Sequence, residues 1–136
     1  YRLDVWRGTV DLIRDHWFAG VGYGWHAFAR HYYCYMVDSA IVPHAHNLFL
    51  QVLAESGAAG LFAFVWVTLT VTVHCLRSLV NSNGWQRTLI AATGGIFTGF
   101  LVHSLVDYTL WYYSLYLQLY LVFGMLFGCT QNNAKE

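Results

Sequence analysis

The sequence predicts an all-α fold of the polytopic membrane class, with about three transmembrane helices preceded by an extracytoplasmic loop that carries an amphipathic helix. Composition is the first reason: 57% of the residues are apolar and 10% are charged, far below the charge content of an ordinary soluble domain. The second is where charge is missing. None lies between Glu55 and Arg77, between Arg87 and Asp107, or between Asp107 and Lys135, and a helix needs roughly 20 residues to cross about 30 Å of hydrocarbon. These gaps predict spans over 57–76, 88–106 and 110–129. The third reason is an apolar stripe at helical spacing ahead of the first gap.

That stripe is Trp6, Val10, Ile13 and Trp17, with Arg7, Asp11 and Arg14 on another face, which predicts a helix over Asp4–Phe18. Such a helix is expected at the membrane interface, its Trp rings acting as anchors. Gly20-Val21-Gly22-Tyr23-Gly24 ends it in a tight turn, and the aromatic run Ala27–Met36 suggests a second short helix before Pro43. Residues 1–46 thus read as one loop. Asn47 starts a helical pattern that continues through Gly57 and Gly60 into the first span and ends near Arg77. At about 1.5 Å per residue this helix is some 45 Å long, so it must protrude, tilt or bend.

Asn81-Ser82-Asn83-Gly84 is a turn flanked by Arg77 and Arg87, which marks the cytoplasmic side. Residues 1–46 then lie outside the cytoplasm, in the periplasm of a Gram-negative cell. The chain turns again near Asp107–Trp111, and residues 130–136 form a cytoplasmic tail. On the second span Gly95, Gly99, His103 and Asp107 recur every four residues, so close packing is expected at the glycines and an inward orientation at the two ionisable groups. The chain opens within an amphipathic segment, without an initiator Met or signal peptide, and is expected to be the C-terminal part of a longer protein.

Several function classes are excluded. Seven basic and seven acidic residues give no net charge and no basic stripe, which argues against nucleic acid. Cys34, Cys75 and Cys129 are odd in number, lack CxxC spacing and read as small apolar residues. Gly20-x-Gly22-x-Gly24 has no preceding strand and no following Lys-Ser/Thr, so it is not a nucleotide cradle. His44-x-His46 can chelate, but the sequence offers no convincing third ligand. His74 and His103 differ in predicted depth by about 20 Å, too much for one haem. No metal or other cofactor is expected.

The polar chemistry gathers where the loop meets the first span. His46, after Pro43 and His44, starts a helix at the outer interface, and an imidazole can take a proton from a hydroxyl nucleophile. Asn47 is a natural helix cap. The plainer alternative is a pair of loop histidines beside a helix cap. Arg7 and Arg14 could present guanidinium groups to a diphosphate, or could sit on a solvated face with an Arg7–Asp11 pair; Arg14 is assigned to the solvated face. Arg30 is a second candidate for an anion, and Glu55 lies at the entrance to the span.

His46 and Asn47 followed by nine residues, Gly57, two residues and Gly60 form a pattern that resembles the signature of the O-antigen ligase family of bacterial inner-membrane glycosyltransferases. The order of Arg7, the glycine motif and His46-Asn47, then a closing pair of spans with His103 and Asp107, resembles the family too. The resemblance implies a metal-independent enzyme that moves a glycan from an undecaprenyl-diphosphate carrier to an acceptor hydroxyl on the periplasmic face. That acceptor is lipid A core (in lipopolysaccharide biosynthesis), a protein or a second glycan, and membrane lipids surround the enzyme. It implies that His46 is catalytic, as base or as the group that orients the acceptor. Arg7 and Arg30, with Asn47, would bind substrate, and His44, Glu55, His103 and Asp107 would support the site. The family has further spans and an upstream periplasmic loop, so this fragment is expected to be inactive alone. From another class, a membrane transporter like the bicarbonate-transporter-like relatives of the superfamily is the alternative, against which stand the few polar residues in the spans.

Overall fold

The computed structural model describes residues 1–37, 42–111 and 113–131, with the side chains at 111, 113 and 129–131 left aside. The backbone is helical, with no strand among the described residues. The elements are α1 (Arg2–His16), α2 (Trp25–Tyr32) running into a 3-10 turn (Tyr33–Tyr35), α3 (Leu48–Asn81), α4 (Gly84–Ser104), a second 3-10 turn (Thr109–Trp111) and α5 (Tyr113–Gln131). Of the expected tail 130–136, residues 132–136 lie outside the described residues, as does the side chain of Cys129.

The chain divides into two compact units, one of Tyr1–Trp66 with Ser104–Tyr108, the other of Val67–His103 with Thr109–Glu136. In the first, Val5, Leu12 and Ile13 of α1, Phe28 and Tyr32 of α2, and Val42, Ala45 and Ala54 share one core. The fully buried Leu12 and Phe28 each contribute roughly 1.5–3 kcal/mol by leaving water. Of the apolar stripe expected on α1, Ile13 joins this core. The buried face runs through Val5, Gly8, Thr9, Leu12 and Ile13, whereas Val10 and Trp17 are exposed. Gly8 is on that face because a Cβ there would meet the Tyr35 carbonyl oxygen and the Tyr32 ring, at 2.5 and 2.9 Å.

A joint at Gly57 determines how α1 and α3 meet. Gly57 has φ 66° and ψ −167°, a conformation open essentially to glycine alone, and it interrupts the helical ladder of α3. The freed groups find partners in the end of α1 and the glycine turn: Val21 N–H donates to Ala54 O (2.8 Å), Gly22 N–H to Glu55 O (3.0 Å), and Ala58 N–H to Trp17 O (2.8 Å). Gly20 N–H closes α1 on His16 O at 2.8 Å. A Cβ at Gly20 would run into the Glu55 carbonyl, one at Gly57 into the Phe18 carbonyl, and one at Gly60 into Ser56. Of the alternatives that its length left open, the long helix bends, and the glycine motif forms the mate of that bend.

In the second unit Val71 and Cys75 of α3, Ile90 and Phe97 of α4, and Val122 and Leu126 of α5 form the core. Its close approach is at Gly94, where a Cβ would lie 2.6 Å from Cys75 Sγ; at Gly95 and Gly99 there is open space. The glycine face expected from the sequence is thus displaced by one residue. Of the two cysteines whose side chains are described, Cys75 packs as a small apolar residue and Cys34 is exposed.

Among the described residues α3 is the helix long and apolar enough to cross a membrane. Only 11% of its most apolar stretch is buried, the opposite of a soluble core helix. Its section after Gly57 is about 36 Å long at about 1.5 Å per residue. α4 and α5 occupy the positions of the second and third expected spans, and among the described residues neither reaches that mark. Gln86, Arg87 and several Thr and Gly residues dilute α4, and the side chains described on α5 form an apolar stretch over Ser114–Gly128.

Candidate functional site

The start of α3 is organised by three polar residues one helical turn apart. Asn47 Oδ1 accepts from Leu50 N–H (3.0 Å), the expected N-cap, and its Nδ2 donates to Leu105 O (2.7 Å). Gln51, fully buried, accepts Ala45 N–H on Oε1 (2.7 Å) and donates from Nε2 to Glu55 Oε1 (2.8 Å). Glu55, 4% exposed, also accepts from the backbone N–H of Gly24. The ladder Asn47–Gln51–Glu55 thus ties α3 to the 104–108 segment, the His44–His46 loop and the glycine turn in succession.

Held by this ladder, His46 sits just before the helix with φ 50°, the one left-handed non-glycine among the described residues. His tolerates that region better than bulky residues do, but the conformation persists only where surroundings over-determine it, and such positions concentrate at functional sites. Its Nδ1 lies 3.4 Å from Asp107 Oδ1. The His44 ring meets it edge to face at 4.2 Å between centroids and also packs on Tyr108 at 5.6 Å. His46 N–H donates to His44 Nδ1 at 3.3 Å. Side-chain exposure of 20% at His46 and 35% at Asp107 leaves the pair reachable from solvent, while His44 is buried.

The electrostatics follow from this placement. Burial, and then the neighbouring His46, push the His44 imidazole down to about 4, only partly countered by Asp107. For Asp107, desolvation by burial raises the carboxyl. The Tyr108 N–H bond at 2.8 Å, the His46 bond and the charges of His46 and His44 outweigh it and bring the group below its ordinary value. Asp107 is therefore an anion at neutral pH. A neutral imidazole that donates Nδ1–H to that anion carries its lone pair on Nε2, the form that accepts a proton.

The other sequence-predicted residues are distributed more widely. Asp107 lies beyond the end of α4, in the turn, and so joins His46 without sharing a helical face with Gly95 and Gly99. His103, in the last turn of α4, is exposed in the second unit and does not point inward there. Arg7 pairs weakly with Asp4 (3.6 Å), and Asp11 pairs with Arg14 (2.7 Å), so the Arg7–Asp11 pair of the solvated-face alternative does not form. Arg7 and Arg14 both border an open groove of about 560 Å³ along α1, floored by Trp6, Val10 and Leu50. Arg30 is exposed on α2.

Sequence reasoning missed Arg2, Gln51 and Tyr108. Arg2 Nη1 donates to Val106 O at 3.0 Å and fastens α1 to the Asp107 turn. Gln51 could have been found from the four-residue spacing of Asn47, Gln51 and Glu55. Arg2 and Tyr108 had no such local signal, since their contacts join segments about a hundred residues or some sixty residues apart.

Comparison with known families decides what this segment is. Residues 1–65 match the O-antigen ligase family model. The family resemblance read from His46, Asn47, Gly57 and Gly60 is borne out over this stretch, which coincides with the continuous part of the first compact unit. No curated protein and no solved structure matches the chain. The O-antigen ligase family is a membrane-associated, glycosyltransferase-like family that handles glycan and lipid-linked substrates, in keeping with the apolar length of α3. The four signature residues of the O-antigen ligase segment acquire physical roles here: a left-handed histidine, its helix-capping neighbour, and two glycines that permit the bend on which the glycine turn docks.

Proposed function

We propose that this chain is part of a membrane glycosyltransferase that moves a glycan from an undecaprenyl-diphosphate carrier to an acceptor hydroxyl on the periplasmic face of the bacterial inner membrane. The observation that carries the reading is the left-handed His46 paired with the Asp107 anion inside the O-antigen ligase segment. His46 Nε2 takes the acceptor's proton as the hydroxyl oxygen bonds to the anomeric carbon. The bond from that carbon to the diphosphate oxygen breaks, and the diphosphate leaves with the electron pair. Asp107 orients the imidazole and stabilises its charged form. Arg7 and Arg30 bind the diphosphate as charge develops on it, Asn47 holds the helix start, and His44 and Glu55 support the loop from beneath. His103 has only the family resemblance behind its supporting role.

The membrane placement has its own support. Trp17, Phe18, Tyr23 and Trp25 at the end of α1 and in the glycine turn are exposed, and backbone bonds fix this region to residues 54–58 of α3. Phe62 and Trp66, exposed on α3, follow within a few turns. This suits an interfacial belt near Gly57, with His46 about 15 Å above it on the outer side. Residues 57–76, 88–106 and 110–129 then cross the membrane, with 1–46 periplasmic. The acceptor is lipid A core, a protein or a second glycan, and the chain needs the remainder of the enzyme for turnover.

The test is His46→Ala in the full-length protein. Glycan transfer should fall by about 10²–10⁴-fold at normal membrane abundance, with a smaller fall for Asp107→Asn and a weaker donor interaction for Arg7→Ala. Unchanged transfer in His46→Ala removes the assignment.

A further inference from the structure

The sequence offered His44-x-His46 as a chelating pair that lacked a third ligand. The structure supplies one, because Asp107 brings a carboxylate oxygen to the same place, and one ligand atom from each of the three residues lies within 4.8 Å of the others. We propose that His44, His46 and Asp107 form a three-ligand site for a divalent zinc-class ion, and that an ion bound there takes His46 out of service as a base. The functional half rests on the reading of His46 given above; the binding half stands without it.

The geometry suits a metal as well as the His46–Asp107 pair. At 3.4 Å, the separation of His46 Nδ1 from Asp107 Oδ1 is longer than a good N–H···O bond of about 2.7–3.2 Å. It does equal the edge of a tetrahedron with metal–ligand bonds near 2.0–2.1 Å, which is about 3.4 Å. Two of the three ligands therefore already stand at bonding separation, and His44, within 4.8 Å of both, has to close in by at most about 1.4 Å. The donor set also suits the ion: two imidazoles and one carboxylate bind zinc, and harder ions that prefer all-oxygen shells are disfavoured. The partial exposure of His46 and Asp107 gives an ion a path in and leaves the remaining coordination position to water. The loop is braced for the purpose, since the buried Gln51 holds Ala45, between the two histidines, and Tyr108 N–H holds the carboxylate. A nitrogen that gives its lone pair to the ion fixes the imidazole, and the dication neutralises Asp107. Metal binding and proton acceptance by His46 are then mutually exclusive.

The experiment uses the full-length protein in detergent with Cys34→Ser to remove the exposed thiol, stripped with a chelator and titrated with Co2+. The expected result is a ligand-field absorption that saturates at one ion per chain and is displaced by Zn2+. It should be weakened at least about tenfold by His44→Gln and by Asp107→Asn. Zn2+ should also shield His46 from carbethoxylation by diethyl pyrocarbonate, read by peptide mass spectrometry, in the parent protein and not in Asp107→Asn. If His44→Gln loses its helical circular dichroism, Asp107→Asn carries the decision. Absence of a saturable band, a band that survives Asp107→Asn, or an unshielded His46 overturns the site. These readouts do not involve glycan transfer, so failure of the glycosyltransferase reading would leave them unchanged.

Discussion

Replacing Gly57 by alanine tests the joint on which the O-antigen ligase segment is built. At φ 66° and ψ −167° a Cβ is strained by about 1–3 kcal/mol, and here it would also run into the backbone of Phe18 and Ala19, which cannot rotate away. The helix has one escape, to straighten. It then loses the bonds from Val21 to Ala54, Gly22 to Glu55 and Ala58 to Trp17, each worth about 0.5–1.5 kcal/mol net, and regains about 1 kcal/mol of helix propensity. Either route costs on the order of 2 kcal/mol, or roughly 4–8 °C in melting temperature for a chain of this size. The assay is thermal unfolding of the purified protein in detergent, combined with limited trypsin cleavage at Arg30, which should accelerate as the glycine turn comes off α3. Gly99→Ala, with open space around it in a regular helix, is the control. A Gly57→Ala protein that melts with its parent and is cleaved at the same rate would refute the claim that this joint holds α1 to α3.

Four further outcomes follow from other contacts. Gly94→Ala should lower the melting temperature, through its 2.6 Å approach to Cys75 Sγ, while Gly95→Ala should not; equal effects would return the packing face to the one expected from the sequence. Asn47→Ala removes a cap and the bond to the Leu105 carbonyl, for a loss of about 1–2 kcal/mol in denaturant unfolding. Gln51→Leu leaves Ala45 N–H and buried Glu55 without their partner and should cost more than Asn47→Ala, with Glu55→Gln in the same background restoring part of the loss. Stability should also decline in acid, measured as melting temperature against pH with a chelator present. His44 is depressed from 6.5 to about 4 in the fold, so the unfolded chain takes up its proton first; stability is complete above 6.5 and drains away as pH falls towards about 4. Asp107, also depressed, adds a loss of the same sign below 3.8. His44→Gln should flatten the upper part of this slope.

The sequence was most legible where a property is local. The cap at Asn47 and the turn at 81–84 follow from neighbouring residues, and the structure bears them out; the length of α3 left protrusion, tilt or a bend open, and the structure shows the bend. The core face of α1 was not legible, for an equally physical reason. Trp6, Val10, Ile13 and Trp17 satisfy helical periodicity, but which of several apolar faces is buried depends on what arrives opposite, and Phe28 and Tyr32 of α2 arrive opposite Val5, Leu12 and Ile13. Asp107 shows the same limit at the site. Its spacing from Gly95, Gly99 and His103 suggested a helical face, whereas α4 stops at Ser104 and frees it to meet a histidine 61 residues earlier in the chain.

By itself, the sequence determined the membrane-like composition, the helical class and the likeness of residues 1–65 to the O-antigen ligase family, because apolar runs, charge gaps and a spaced His-Asn-Gly-Gly pattern are properties of residue order. Tertiary structure alone decided that the glycine turn is the counterpart of the Gly57 bend, and that His44, His46 and Asp107 converge. Both depend on backbone groups and side chains brought together from segments far apart in the chain, whose pairing no local spacing encodes.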